Sequence, residues 1–306
     1  MSEIVVVGSL NMDTVVSVPY IPKIGETILA TDVNYYGGGK GANQAIAVAR
    51  LGSSVSMIGK VGKDKNGRAL LDSLTKEGVD TTSIEVSENI TGTAFINVSS
   101  KGENNIVVYP GANKDLDIAQ IERHRKVIEN SSVCVLQLEI PYEVVKHVIN
   151  ICYEKDVKVI FNPAPATSGI EDELIRKTYI LIPNETELNI LSGTHNDSSE
   201  TLEDVAKKVY NKGCENLIVT LGEKGGLYLQ NKEIEYFKSK KVDSIDTTAA
   251  GDSFVGAMAA SIVEGKTIPE SIEFATFAAA LTVTKPGAQY SLPTKREVDE
   301  FIKLKQ

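Results

Sequence analysis

The chain has 306 residues, of which 42% are hydrophobic and 24% charged, and a net charge of −9. That balance belongs to a folded globular chain rather than a disordered one. The acidic surplus, with no basic run beyond pairs such as Lys240-Lys241, argues against a nucleic-acid partner. No apolar run approaches the roughly 18 residues of a membrane span, and Met1-Ser2-Glu3 enters an apolar strand without a leader pattern, so the expectation is a cytoplasmic protein with no membrane partner.

Short apolar runs at 4–7, 56–59, 133–138, 158–161, 179–182 and 217–220 read as buried strands. Amphipathic stretches at 43–51, 66–77, 117–129, 142–154, 171–177, 186–192 and 201–212 read as helices between them, with a further helix at 270–284. This alternation predicts an α/β fold, a single domain over 1–306 with a mostly parallel central sheet flanked by helices. Function in such sheets gathers at the carboxyl ends of the strands. Two stretches break the rhythm. Residues 14–36 are rich in Val, Ile and Thr without helical period, and 91–109 carry a hairpin signal around Ser100-Lys101-Gly102-Glu103-Asn104. Together they predict a small β-sheet lid over one end of the main sheet, against the plainer reading of an edge extension. An exposed hairpin edge there suits pairing with a second copy, so a homodimer through the lid is expected.

Cys134, Cys152 and Cys214 are far apart, form no CxxC and read as buried thiols. His124, His147 and His195 lack metal-ligand spacing, which argues against zinc chemistry and a histidine triad.

Several strand ends carry polar groups. Gly8-Ser9-Leu10-Asn11-Met12-Asp13 follows the first strand, and Asn11 and Asp13, two apart on extended chain, face one side as an amide–carboxylate clamp for vicinal hydroxyls. An ordinary Asn/Asp turn reads equally from these residues. The run Gly37-Gly38-Gly39-Lys40-Gly41-Ala42-Asn43-Gln44 is neither a Walker A loop nor a G-x-G-x-x-G fingerprint; it permits close backbone approach to a small polyhydroxyl ligand, with Lys40 and Asn43 as donors. Glu139 ends another strand as either a hydroxyl ligand or a helix N-terminal acid, and Asn162-Pro163-Ala164-Pro165 forms a rim. Asn184 and Glu187 fit a helix capping box, a phosphate-side role, or both. The turn from Thr220 through Leu221, Gly222, Glu223 and Lys224 to Gly225 suits a nucleotide-facing loop, and Lys285-Pro286-Gly287 with Ser291 forms a late loop.

The segment Asp246-Thr247-Thr248-Ala249-Ala250-Gly251-Asp252-Ser253-Phe254 is the most telling. A small-residue turn opening an apolar helix leaves N–H groups converging beside the positive helix end, which makes an anion hole. Asp252 stands at its edge, where a carboxylate takes a proton from an attacking hydroxyl. Hole plus base is what phosphoryl transfer to an alcohol requires, although an Asp in the first turn of an unremarkable helix fits the same letters.

Taken together, Gly38 to Gln44 and Asp246 to Phe254 resemble the two signatures of the PfkB, or ribokinase, family of carbohydrate kinases, and the likeness runs over essentially the whole chain. The wider family usually has Gly where this chain has Ala249; its ribose-phosphorylating branch commonly has Ala, so the resemblance points there. It implies ATP as donor, Mg²⁺ held chiefly by phosphate and water, and transfer to the 5-hydroxyl of ribose. It implies Asp252 as general base and the amides of Ala249, Ala250 and Gly251 as the anion hole. Asn11, Met12, Asp13, Gly39, Lys40, Gly41, Ala42, Asn43, Glu139 and Asp252 match its sugar-binding positions. Asn184, the 220–225 turn, Gly251, Asp252 and Thr276 match the nucleotide site, and Glu187 the acid of the Mg²⁺-phosphate region. Asp246, Thr248, Thr282, Lys285, Gly287 and Ser291 match an activating monovalent-cation (K⁺) site, several through main-chain oxygen. Deoxyribose, fructose or a nucleoside such as adenosine are rival acceptors, and a non-catalytic sugar-binding regulator is the rival of another class. Asn11 favours ribose, because an amide left without a 2-hydroxyl partner penalises the deoxy sugar.

Overall fold

The computed structural model describes residues 2–194 and 199–305; His195 lies outside them. The first half of the chain runs β1 (Ile4–Val7), β2 (Asn11–Val18), β3 (Asp32–Gly38), α1 (Lys40–Arg50), β4 (Val55–Gly62), α2 (Lys65–Lys76) and β5 (Asp80–Ser87). It continues through β6 (Gly92–Ser99), β7 (Asn104–Tyr109), α3 (Ile118–Arg123), α4 (Arg125–Glu129), β8 (Val133–Leu136) and α5 (Tyr142–Glu154). The second half carries β9 (Lys158–Phe161), α6 (Asp172–Arg176), β10 (Ile180–Leu181), α7 (Glu185–Ser192), α8 (Leu202–Tyr210) and β11 (Asn216–Thr220). It ends with β12 (Gly226–Gln230), β13 (Glu233–Phe237), α9 (Ala250–Val263), α10 (Ile268–Thr282), α11 (Ala288–Ser291) and α12 (Lys295–Lys305).

A 9-stranded sheet runs β13-β12-β11-β10-β9-β8-β1-β4-β5, parallel from β11 to β5 and antiparallel at the β12 and β13 edge. Both faces are covered, as a parallel sheet requires. Along β1, Ile4 and Val6 pack with α1, α2, α9, α10 and α12, whereas Val5 and Val7 pack with the layer of α3 to α8, which is the period-two alternation of a strand. All three cysteines are buried and free. No helix among the described residues is long and apolar enough to cross a membrane.

A separate 4-stranded sheet, β3-β2-β6-β7, projects from the carboxyl end of β1. Its outer face carries a row of register partners, Tyr35, Thr14, Phe95 and Val107, of which Tyr35, Phe95 and Val107 are exposed.

Several element boundaries differ from expectation. Helix α1 begins at Lys40, three residues earlier than 43, because Gly39 adopts φ 88° and turns the chain directly into the helix. The stretch 117–129 breaks at His124, whose N–H is shared between Gln120 and Ile121 carbonyls. The stretch 179–182 pairs only over Ile180–Leu181. Helix α10 starts at Ile268 rather than 270, behind a Thr267–Glu270 capping box.

Candidate active site

Helices α1 and α9 cross closely because their contact is made of small residues: a Cβ on Gly256 would stand 2.5 Å from the Ala47 Cβ. The crossing brings the first turns of both helices together. Asp252, buried in the first turn of α9, accepts from Asn43 Nδ2 at 2.9 Å on one oxygen and from Gln44 Nε2 at 2.9 Å on the other.

Helix α9 opens from Ala249 in a left-handed conformation (φ 61°). The Ala250 N–H donates to the Thr247 carbonyl at 3.3 Å. It therefore closes the turn, in contrast to its expected place in the anion hole. Among the described residues the N–H groups of Ala249, Gly251 and Asp252 have no acceptor in the chain. A Cβ on Gly251 would meet nothing within 4 Å, so these donors border open space. The arrangement fits an anion such as a phosphoryl group.

The sugar-side residues gather at the end of β1. A cleft of about 410 Å³ is lined by Asn113, Glu139 and Pro165 of the main body and by Asn11 and Val108 of the small sheet. Glu139 accepts from Ser9 Oγ at 2.5 Å and from the Lys40 N–H at 3.1 Å, so it caps α1 rather than the helix that follows it in sequence. Asp13 is pushed up to about 7, by burial first and then by the carboxylates of Glu139 and Asp252. Burial opposes the charge of Lys40, yet Asp252, Glu139 and Glu187 outweigh it and hold the ammonium above its ordinary value. Met12 and Ala42 turn their side chains into the apolar core instead of the cleft, and Gly41 is buried against the β1 end, so these three can contribute only main chain.

Of the expected nucleotide residues, Asn184 and Thr220 meet in an isolated parallel bridge, and Asn184 with Glu187 forms a complete capping box (2.8 and 2.9 Å). Glu187 is raised by burial and by Asp252, against the Asn184 N–H and Lys40, which lower it. Leu221 to Gly225 forms a tight turn, with Leu221 N–H to the Gly225 carbonyl at 2.8 Å; Gly225 is needed there because a Cβ would strike the Phe237 carbonyl. Leu221 packs partly on the core. The Thr276 hydroxyl donates to the Ile272 carbonyl within α10, so that side chain is spent inside its own helix.

At the late loop, Asp246 accepts from Thr248 N–H and Oγ1 (2.9 and 2.6 Å) and from Gly287 N–H at 2.8 Å, joining the two segments. Burial would raise the Asp246 carboxyl, but these three bonds prevail and hold it below its ordinary value. The hydroxyls of Thr282 and Ser291 turn inward, to Ser253 and Ala278 and to Ala288, and Lys285 Nζ pairs with Glu297 at 2.7 Å. Among the described residues the main-chain oxygens of Asp246, Thr248 and Lys285 accept no hydrogen bond. That donor-free set of oxygens suits a monovalent cation.

Two residues escape sequence reading. Gln44, fully buried, stands against Asp252, and Asn113, in the short turn after β7, bonds Asn11. The first lay inside the Gly38–Gln44 signature; the second had no local signal.

Comparison with known proteins identifies the family. The pfkB family carbohydrate kinase pattern matches residues 1–295. The chain is 41% identical to a ribokinase of Haemophilus influenzae over 298 residues, 97% of each chain. The crystal structure of a Thermotoga maritima ribokinase superposes with a TM-score of 0.91 at 39% identity, covering 99% of this chain and 100% of that one. An Arabidopsis thaliana ribokinase complexed with ribose and ATP gives 0.89 at 33% identity, covering 99% of both. The chain therefore belongs to the pfkB family of carbohydrate kinases.

Proposed function

We propose that the chain transfers the γ-phosphoryl group of ATP to the 5-hydroxyl of D-ribose, giving ribose 5-phosphate and ADP. The observation that carries this reading is a buried Asp252, gripped on both oxygens, in the same helical turn as the unpartnered N–H groups of Gly251 and Asp252. Asp252 takes the hydroxyl proton as the oxygen attacks phosphorus. The helix N-terminus stabilises the charge on the transferring group, worth the most where water is excluded. Asn11, Asp13, Lys40, Asn43 and Glu139 hold the sugar, with Gly39 contributing main chain, its bare Cα packed on the backbone of Ser9 to Asn11. Asn184 and the 220–225 turn face the nucleotide.

Mg²⁺ would neutralise phosphate charge. Among the described residues no group of three or more His, Cys, Asp or Glu could by itself hold a metal ion, so phosphate and water would supply most of its coordination. Glu187, which interacts with Lys40 and Asp252, would be the acid of that region. K⁺ would sit on the carbonyl oxygens of Asp246, Thr248, Lys285 and Gly287. The small sheet acts as a lid, since Val108 already lines the cleft. Its exposed Tyr35–Phe95–Val107 row docks on a second copy, which light scattering of wild type and Phe95→Glu tests: a dimer that becomes a monomer supports it, and a wild-type monomer refutes it.

The deciding assay is ADP release with Mg²⁺-ATP and ribose, 2-deoxyribose, fructose or adenosine, each in sodium and then potassium. Ribose-dependent turnover is the expected result. Turnover with another acceptor moves the specificity, and silence with all four leaves a sugar-binding regulator.

A further inference from the structure

The two amides on Asp252 are not equivalent. Asn43 is one of the positions that match a sugar ligand and is 5% exposed, whereas Gln44 is not one of them and is fully buried. Gln44 Nε2 donates to Asp252 Oδ1 at 2.9 Å and to Asn162 Oδ1 at 3.3 Å, and its Oε1 accepts from Gln137 Nε2 at 2.6 Å. Asn162 in turn donates from Nδ2 to the Ile182 carbonyl at 2.8 Å.

The polarity of this chain of amides is fixed from one end. A carbonyl can only accept, so Ile182 forces the Asn162 amide nitrogen toward itself and its oxygen toward Gln44. Gln44 must then present nitrogen to both Asn162 and Asp252, and oxygen to Gln137. The arrangement has a cost: Gln137 Oε1 is buried without a partner. Flipping Gln137 would only set two amide oxygens against each other, so the orphan persists as long as Gln44 keeps its donor on Asp252.

We infer that Gln44 is a positioning residue for the base: held by Asn162 and Gln137, it keeps a fixed donor on Asp252, which aims the carboxylate. The inference rests on the reading of Asp252 as base. Asp252 stands among charges that pull it in different directions: Asp13 on β2 and Glu187 on α7 face it with like charge and Lys40 on α1 with opposite charge. A carboxylate so placed keeps one orientation only while its donors are themselves held.

The test compares the full-length wild type with Gln44→Met, Gln44→Glu, Gln137→Met and Asp252→Asn, reading kcat, ribose KM and melting temperature. Gln44→Met should lower kcat at least about tenfold with ribose KM changed by less than about threefold. Gln44→Glu should lower kcat further, because it puts an acceptor where the base needs a donor. Gln137→Met, which leaves the Asp252 contact in place but frees Gln44 to turn, should show the same fall in kcat in weaker form and serves if the Gln44 variants do not fold. A loss of thermal stability or a rise in ribose KM with kcat unchanged overturns the inference, since a purely structural role predicts that. Near-normal kcat in Asp252→Asn would instead remove the base reading itself.

Discussion

Asn113 donates from Nδ2 to Asn11 Oδ1 at 2.8 Å, across 102 residues of chain. The same amide brackets Leu10, accepting from its N–H at 2.9 Å and donating to its carbonyl at 3.1 Å. With its oxygen already used, Asn11 has its NH₂ group left for the cleft. It therefore offers a donor, and the matching feature on a sugar is a hydroxyl oxygen.

Asn113→Asp tests this orientation with little change of shape. The variant keeps an acceptor for Leu10 but has no hydrogen to give Asn11, so Asn11 is released to turn its oxygen into the cleft. Losing one buried polar contact to a substrate costs about 1–2 kcal/mol, so ribose KM should rise roughly tenfold with kcat less affected. The preference for ribose over 2-deoxyribose should narrow in the same variant. Steady-state kinetics on the two sugars checks both statements, and an unchanged KM ratio would refute the orientation argument.

Asp13 makes stability depend on pH. Its carboxyl rises from 3.8 to about 7 in the folded chain, through burial and then the charges of Glu139 and Asp252. The folded state thus holds a proton that the unfolded chain gives up between these values. The associated stability is fully present below pH 3.8 and is lost as pH rises through about 7. The ligand-free protein should lose on the order of a few kcal/mol of this contribution by pH 8. Asp13→Asn, which has no proton to lose, should be more stable than wild type at pH 8 and should flatten the slope between pH 5 and 8. Urea melts at several pH values measure this directly.

The strands of the parallel sheet were legible because burial on both faces forces continuous apolar runs, as in Ile4–Val7 and Val133–Leu136. The polar residues at their carboxyl ends, Asn11, Asp13 and Glu139, were legible for the same topological reason. Less could be read where tertiary packing chose the conformation. The hairpin of β12 and β13 turns on Asn231 and Lys232, both left-handed (φ 51° and 67°), and a Lys there lacks the Asn-Gly signal of such turns. Gln44 sits among alanines on a helix whose other face is core, so only the crossing with α9 reveals that it meets Asp252. Asn113 lies in a short 3-10 turn with no periodicity, and its partner is far away in sequence. The Ala250 amide was misassigned because the left-handed Ala249 bends the turn back onto Thr247, which composition alone does not disclose.

Gly251 separates ligand from fold. It has no positive φ, and a Cβ there meets nothing within 4 Å, so the protein itself has room for alanine. A helical Cβ tilts toward the N-terminus, which here is the region of the free N–H groups. Alanine also has the higher helix propensity, by up to about 1 kcal/mol. Gly251→Ala should therefore melt no lower than wild type while kcat/KM for ATP falls by about tenfold or more, a loss of roughly 1.4 kcal/mol. A variant that loses stability instead would show that glycine serves the fold.

Asp246 offers the last separation, between cation binding and chemistry. Its carboxylate ties Thr248 to Gly287 and so fixes the spacing of the main-chain oxygens on both segments. Asp246→Ala removes all three hydrogen bonds at once and lets the 246–248 segment and the late loop part. Asp252 should be little disturbed, because Asn43 and Gln44 hold it from α1. The expected result is a lower kcat in potassium, with the potassium-to-sodium ratio falling toward one and activity in sodium kept within about threefold. Titrating KCl at constant ionic strength reads the ratio, and thallium-205 NMR reports cation binding independently of turnover. Equal loss in both salts would place Asp246 in the fold of the turn, whereas full potassium activation in the variant would put the cation elsewhere.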